Sequence, residues 1–175
     1  MLATEPQRLA DFAAAMNAFA TTPEMSMDYL TSHPIWEKIK SVVDIGGSTG
    51  QAAIALAQGH PQLHVTVEDL PPVVLGAEQH VPQEVASRIK FIGYDFSVED
   101  AVQPVKGADV YLMRWVLHNW SDKYAIGILR SIIPALNVGA KILIMEIIVP
   151  EPGTVPQWKE KNLRYTLPPI IVGSY

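Results

Sequence analysis

An α/β fold, a mostly parallel sheet flanked by helices on both faces, is predicted for this chain of 175 residues by three observations. Short apolar runs alternate with helical patterns from residue 41 to residue 148, the rhythm of parallel strands joined by helical crossovers. Ser41-Val-Val-Asp-Ile-Gly-Gly-Ser-Thr-Gly50 runs straight into Gln51-Ala-Ala-Ile-Ala-Leu-Ala-Gln58 and reads as a buried strand, a glycine-rich turn and a helix start. The composition, 49% hydrophobic and 18% charged, is that of a globular chain. A single domain of this size buries about 70% of its unfolded surface.

The elements follow in order. Residues 8–19 place Leu9, Phe12, Met16 and Phe19 at three- and four-residue spacing, an amphipathic helix that Thr21-Thr-Pro23 ends. A short helical stretch over 27–30 and a last turn from Pro34 to Lys40 lead up to the sheet. Residues 1–40 are therefore a helical segment, ahead of a sheet domain spanning 41–175. Within that domain the pattern predicts strand 42–45, helix 50–58, strand 63–67, a helix about 72–79 and strand 89–92. After a loop come strand 110–113, helix 123–133 and strand 141–148. Ser121 or Asp122 is the N-cap of the fourth helix, and Asn137-Val-Gly139 turns into the fifth strand. From Pro150 the rhythm breaks: prolines make a loop, residues 157–165 can form a short helix, and the apolar run within 168–175 is the one segment able to act as a sixth strand.

Composition excludes several functions. A formal net charge of −5 and the lack of any lysine or arginine run argue against nucleic-acid backbone binding. Cysteine is absent, which removes disulfides, thiolate nucleophiles and zinc–thiolate sites. Residues 1–20 have an early Arg8 but also Glu5 and Asp11 among interrupted apolar residues, neither a signal peptide nor a membrane span. A cytoplasmic protein without a membrane partner is expected. His60 and His64 stand four apart, but Pro61 interrupts any helix between them, so no metal site is expected.

The glycine turn carries the first chemical signal. Glycines accept positive φ and let a ligand approach the backbone, while free N–H groups at a helix start favour electron-rich ligand atoms. A nucleotide-type cofactor fits there, and an acid at the end of the second strand, within Glu68-Asp69, would accept ribose hydroxyls. The dinucleotide pattern Gly-x-Gly-x-x-Gly fails, because Ser48 and Gln51 occupy its second and third glycine positions. Asp-x-Gly-x-x-x-Gly does fit, through Asp44, Gly46 and Gly50. A tight turn without a ligand is the bland alternative. The second signal is His118, in a loop after the fourth strand and flanked by Trp115 and Trp120. An imidazole with an ordinary pKa near 6.5 can take a proton from a hydroxyl near neutral pH. A hydrogen-bonded loop histidine is its alternative reading.

Five motifs in order resemble one family. They are Val43-Asp-Ile-Gly-Gly-Ser-Thr-Gly50, Glu68-Asp-Leu-Pro71, Gly93-Tyr-Asp-Phe96, Arg114-Trp-Val-Leu-His-Asn-Trp-Ser-Asp122 and Ile142-Leu-Ile-Met-Glu-Ile-Ile-Val-Pro150. Together they are similar to the S-adenosylmethionine-dependent, caffeate O-methyltransferase-like enzymes of plants and fungi, over about residues 8–165. Ser48 departs from the family's common third glycine, and Asn119 from its usual Asp.

The resemblance implies a Rossmann-like methyltransferase fold with S-adenosylmethionine as cofactor. It implies methyl transfer to a hydroxyl of a small aromatic or polyketide-type secondary metabolite, as in the fungal members. His118 matches the catalytic base and Glu146 the acid that orients it. Asp44, Gly46, Gly47, Gly50, Asp69, Leu70, Asp95, Phe96 and Arg114 match the cofactor-binding set. Gly46, Gly50 and Asp69 stand at the positions that hold the methionine part and the ribose hydroxyls, and Asp95 and Phe96 at the adenine-contacting pair.

Against the family pattern, the N-terminal dimerisation domain is reduced to its last helices and the usual last strands are lacking. An apolar edge is therefore expected at the fifth strand. Retained cofactor binding with weak turnover is expected too, and with it association with a second copy or a full-length homologue. A catalytically impaired or accessory protein, or a cyclase or pericyclase on the same fold, are the alternatives carried forward.

Overall fold

In the computed structural model, the described residues are 26–98, 100–146, 151, 153–154 and, as backbone, 170–174. The helices expected over 8–19 and 157–165 lie outside them.

Six strands form one sheet: β1 (Ser41–Ile45), β2 (His64–Asp69), β3 (Ile89–Gly93), β4 (Val110–Arg114), β5 (Lys141–Met145) and β6 (Ile170–Ser174). Their order is β3-β2-β1-β4-β5-β6. The first five are mutually parallel, with β1 between β2 and β4. The order reverses at β1, and open α/β sheets bind ligands beyond the carboxyl ends of strands at such a switch point.

Parallel strands covered on both faces need apolar residues at nearly every position, which is why Val42 to Ile45 and Val110 to Met113 are continuous buried runs. One face is covered by α2 (Gln51–Gly59) through Ala52, Ala53, Leu56 and Ala57, together with Leu30 of α1 (Asp28–Thr31) and Trp36. The indole of Trp36 donates to the Leu30 carbonyl at 2.6 Å, so its one polar atom is satisfied in the core. The other face takes Val43, Ile45, Tyr111 and Met113 against Ile128 and Ile132 of α4 (Asp122–Ile132).

Two expectations are corrected. The helix expected about 72–79 is broken in two: α3 (Pro71–Val74) is one turn, Leu75 is extended, and Gly76 at φ +78° leads into a 3₁₀ turn over Ala77–His80. A glycine in the left-handed region stops a helix where apolar periodicity alone would continue it. The edge expected to be exposed at the fifth strand is paired. β6 runs antiparallel along β5, with Lys141 opposite Ser174 and Met145 opposite Ile170, so the terminal apolar run supplies the sixth strand.

Candidate active site

The turn after β1 sits at the switch point. Gly46 and Gly47 donate to the Glu68 carbonyl at 2.7 and 3.1 Å, and Gly50 donates to the Gly47 carbonyl at 2.9 Å, folding 46–50 into a cradle before α2. Gly46, Ser48 and Gly50 all have positive φ, at 72, 53 and 85°. The family's third glycine falls at Ser48, and the left-handed backbone there shows why glycine is the easier occupant. The cradle is also tight. A Cβ on Gly47 would lie 2.5 Å from Asp44 Oδ2, and one on Gly46 would lie 2.8 Å from Val116 Cγ2 and 3.7 Å from Phe96 Cε1. The turn is thus pressed between the loop after β3 and the loop after β4.

Asp44 and Arg114 lie on the same face of neighbouring strands beneath the cradle, Asp44 on β1 and Arg114 at the end of β4. Burial pushes the Asp44 carboxyl up to about 7, against the pull of the Arg114 guanidinium and with added repulsion from Asp69. Burial brings Arg114 down to about 10, with Asp44 opposing. The guanidinium stacks 3.4 Å over the Trp115 ring, whose backbone is held at φ +58°. Asp44 Oδ2, Arg114 Nε and Nη2 and Trp115 Nε1 are buried without hydrogen-bond partners. Buried polar atoms need partners. An acceptor and several donors left open beside a cradle that excludes side chains fit a zwitterionic ligand, with an ammonium for the carboxylate and a carboxylate for the guanidinium.

Strand alternation separates the acidic pair at the end of β2. Asp69 is partly exposed and accepts from the Ser48 N–H and the Leu70 N–H, both at 2.8 Å. Burial raises its pKa, and those two N–H groups oppose the rise. It is therefore the acid that faces the cradle. Glu68 turns inward and is fully buried. Leu70 is more than a third exposed at the rim. Asp95 is pinned in its loop by the Ser97 N–H at 2.9 Å, and Phe96 packs edge-on against Trp120 at 5.9 Å. The loop with Asp95 and Phe96 thereby touches the loop with His118.

His118 lies in a 3₁₀ turn, Leu117–Asn119, beyond β4. Its Nδ1 is 2.7 Å from Glu146 Oε2, and the other oxygen of Glu146 accepts the Leu117 N–H at 2.6 Å. The carboxylate is only 14% exposed and the imidazole 42%, so a nearly buried acid anchors a ring open to solvent. With Nδ1 committed to Glu146, Nε2 is the nitrogen left to take a proton.

All eleven residues singled out in the sequence thus lie at the carboxyl edge of β1, β2, β4 and β5 or in the loops above it. Gln103, Trp115 as a strained residue, and the side chain of Glu68 carried no sequence signal for the places they take. Two cavities, one lined by Ser41, His64 and Arg88 and the other by His33, Asp109 and Lys141, open at the amino end of the sheet, away from this site. Among the described residues no His, Asp and Glu cluster is able to hold a metal ion, and no helix is long and apolar enough to cross a membrane.

Comparison with known proteins agrees with this geometry. Residues 2–167 match the model of the O-methyltransferase domain family. The chain is 42% identical over 167 residues to the O-methyltransferase aunD of Aspergillus niger, covering 91% of this chain and 39% of that protein. It is 42% identical over 163 residues to the grayanic acid biosynthesis cluster O-methyltransferase of Cladonia grayi, covering 91% of this chain and 35% of that one. Among solved structures it superposes with a TM-score of 0.73 and 26% identity on the O-methyltransferase NcsB1 from neocarzinostatin biosynthesis. That structure contains S-adenosylmethionine and 2-hydroxy-5-methyl naphthoic acid, and the match covers 94% of this chain and 48% of it. The chain therefore spans less than half the length of the relatives it matches. With a Rossmann-like sheet, a glycine cradle at its switch point and a family model matched over 2–167, the chain belongs to the O-methyltransferase domain family.

Proposed function

We propose that this chain binds S-adenosylmethionine on the Asp44–Gly50 turn and transfers its methyl group to a hydroxyl of a small aromatic or polyketide-type metabolite, with His118 as general base. The observation that carries the reading is the 2.7 Å contact between His118 and the nearly buried Glu146, set beside a cradle with open polar atoms. The naphthoic acid in NcsB1 and the biosynthetic relatives supply the class of acceptor.

Gly46, Gly47 and Gly50 would admit the cofactor's methionine part, with Asp44 and Arg114 as partners for its charged end. Asp69 would accept ribose hydroxyls, and Asp95 and Phe96 would flank the base. When bound, S-adenosylmethionine supplies an electrophilic methyl carbon on sulfur and leaves as a neutral thioether. His118 accepts the acceptor hydroxyl's proton on Nε2 as the oxygen turns nucleophilic. Glu146 fixes the ring by its Nδ1–H and stabilises the imidazolium that forms. The proton then passes to solvent, to which the ring is exposed.

Titration with S-adenosylmethionine, followed by assay for the demethylated cofactor with a panel of hydroxylated aromatics, tests this. Saturable binding and acceptor-dependent release are expected. Absence of binding overturns the cofactor assignment, and binding without release from any acceptor overturns the transfer.

A further inference from the structure

Among the described residues, Glu68 and Gln103 are buried polar side chains outside the cradle, each fully removed from solvent. Gln103 Nε2 donates to Glu68 Oε2 at 2.9 Å, and Gln103 Oε1 accepts the Val105 N–H at 3.0 Å. The Gln103 N–H reaches the Ser131 carbonyl on α4 at 3.4 Å. Gln103 is therefore tied to a strand, to its own loop and to a helix. Glu68 carries the carbonyl that accepts both Gly46 and Gly47, and its neighbour Asp69 accepts the Ser48 N–H. The end of β2 is thus bonded on one side to the 46–48 turn and on the other to the loop that carries Asp95 and Phe96.

Packing does not need this pair. Apolar side chains of similar size would fill the same space without desolvating an amide and a carboxyl, and Glu68 Oε1 is left without a partner. What apolar residues would not supply is direction, because hydrogen bonds fix the loop at one register where van der Waals contacts allow several.

We propose that Gln103 is a positioning residue of the cofactor site. It latches residues 103–105 onto Glu68, at the end of the connection that follows Asp95 and Phe96, and so sets those two against the ribose end of β2. This rests on the cofactor reading above and adds to it what holds the nucleoside half of the pocket.

Calorimetric titration with S-adenosylhomocysteine tests the latch. Gln103→Leu removes both side-chain hydrogen bonds and should raise its Kd about tenfold, with about one buried hydrogen bond's worth felt in binding and the rest in stability. Glu68→Gln should stay within about twofold, because its amide oxygen still accepts from Gln103. Both variants fill the space and only the second keeps the Gln103 bond, so the contrast separates positioning from mere filling of space, and an equal rise in Kd for both overturns the latch. If the unaltered chain does not bind S-adenosylhomocysteine, the cofactor reading fails and the latch with it. If the chain binds and Gln103→Leu binds equally well, the latch alone is overturned. Hydrogen exchange on the unaltered chain decides the matter even where a variant does not fold. The Val105 amide, bonded to Gln103, should be protected and slow further on binding. Exchange there at the rate of a free amide, or unchanged by ligand, overturns the proposal.

Discussion

Replacing Glu146 with glutamine probes the His118 dyad by exchanging one carboxylate oxygen for an amide nitrogen. The carboxylate accepts from two donors at once, the Leu117 N–H at 2.6 Å and His118 Nδ1 at 2.7 Å. A glutamine has one oxygen. If that oxygen stays on Leu117, the amide N–H₂ faces Nδ1, which must then be the unprotonated nitrogen, and the proton moves to Nε2, where it blocks the base. If the amide flips, its N–H₂ opposes the Leu117 N–H, leaving a partly buried donor unpaired at about 1–3 kcal/mol. The loss of a hydrogen bond to a charged group, about 1.5–3 kcal/mol, corresponds to about 10- to 150-fold in rate. The wrong tautomer extends the loss towards the roughly 10⁴-fold that the same change causes in serine-protease triads. Single-turnover methyl transfer, with protein in excess over acceptor, reads this directly. The rate should fall at least tenfold while the Kd for S-adenosylmethionine stays within twofold, and the deficit should shrink for an acidic phenol that is already ionised. A Glu146→Gln variant transferring methyl within threefold of the unaltered chain would refute the role of the dyad.

Three further outcomes follow from the cradle and core. The Asp44 carboxyl rises from 3.8 to about 7, so the folded state keeps a proton that the unfolded chain has released. The resulting destabilisation is absent below pH 3.8, grows above it and is complete above about 7, at about 4 kcal/mol for three units. Asp44→Asn should therefore stabilise the unliganded chain by about 2 kcal/mol more at pH 8 than at pH 5.5. Denaturant midpoints that differ equally at both pH values count against that ionisation. Gly47→Ala places a Cβ 2.5 Å from Asp44 Oδ2 and 2.8 Å from Val67 Cγ1, an overpacking of about 1–3 kcal/mol. Thermal unfolding should register that loss and cofactor titration a collapse of affinity; normal binding would show that the cradle yields. Leu56→Ala, in the fully buried seam between α2 and the sheet, should cost about 2–5 kcal/mol in chemical denaturation. A value below 1 kcal/mol would mean that this face is not the core.

Much of this was legible in the sequence, and the rest was hidden for physical reasons. The strands β1 and β4 announce themselves because a sheet buried on both faces needs unbroken apolar runs. The glycine turn and the His118 segment are local motifs, so their places follow from the strands before them. The helix expected about 72–79 failed at Gly76, where a left-handed residue outweighs the spacing of Val73, Val74 and Ala77. The pairing of β6 with β5 was not legible because a short apolar run, Ile170 to Val172, does not state which edge it joins. Glu68 and Gln103 are 35 residues apart, and their meeting is a property of the fold. The family resemblance picked Asp69 over Glu68, and the physical reason is strand phase, which turns Asp69 to the cradle and Glu68 to the core once the register with β1 is known.

In the proposed reaction His118 removes the acceptor proton beside a bound sulfonium cofactor. Transfer of an isotopically labelled methyl from S-adenosylmethionine to a weakly acidic phenol, followed in one turnover with the unaltered chain and with His118→Ala, isolates that step. The predicted result is labelled product from the first and a rate reduced at least a hundredfold in the second, with cofactor binding unchanged. Equal rates from the two proteins would show that His118 is not the base.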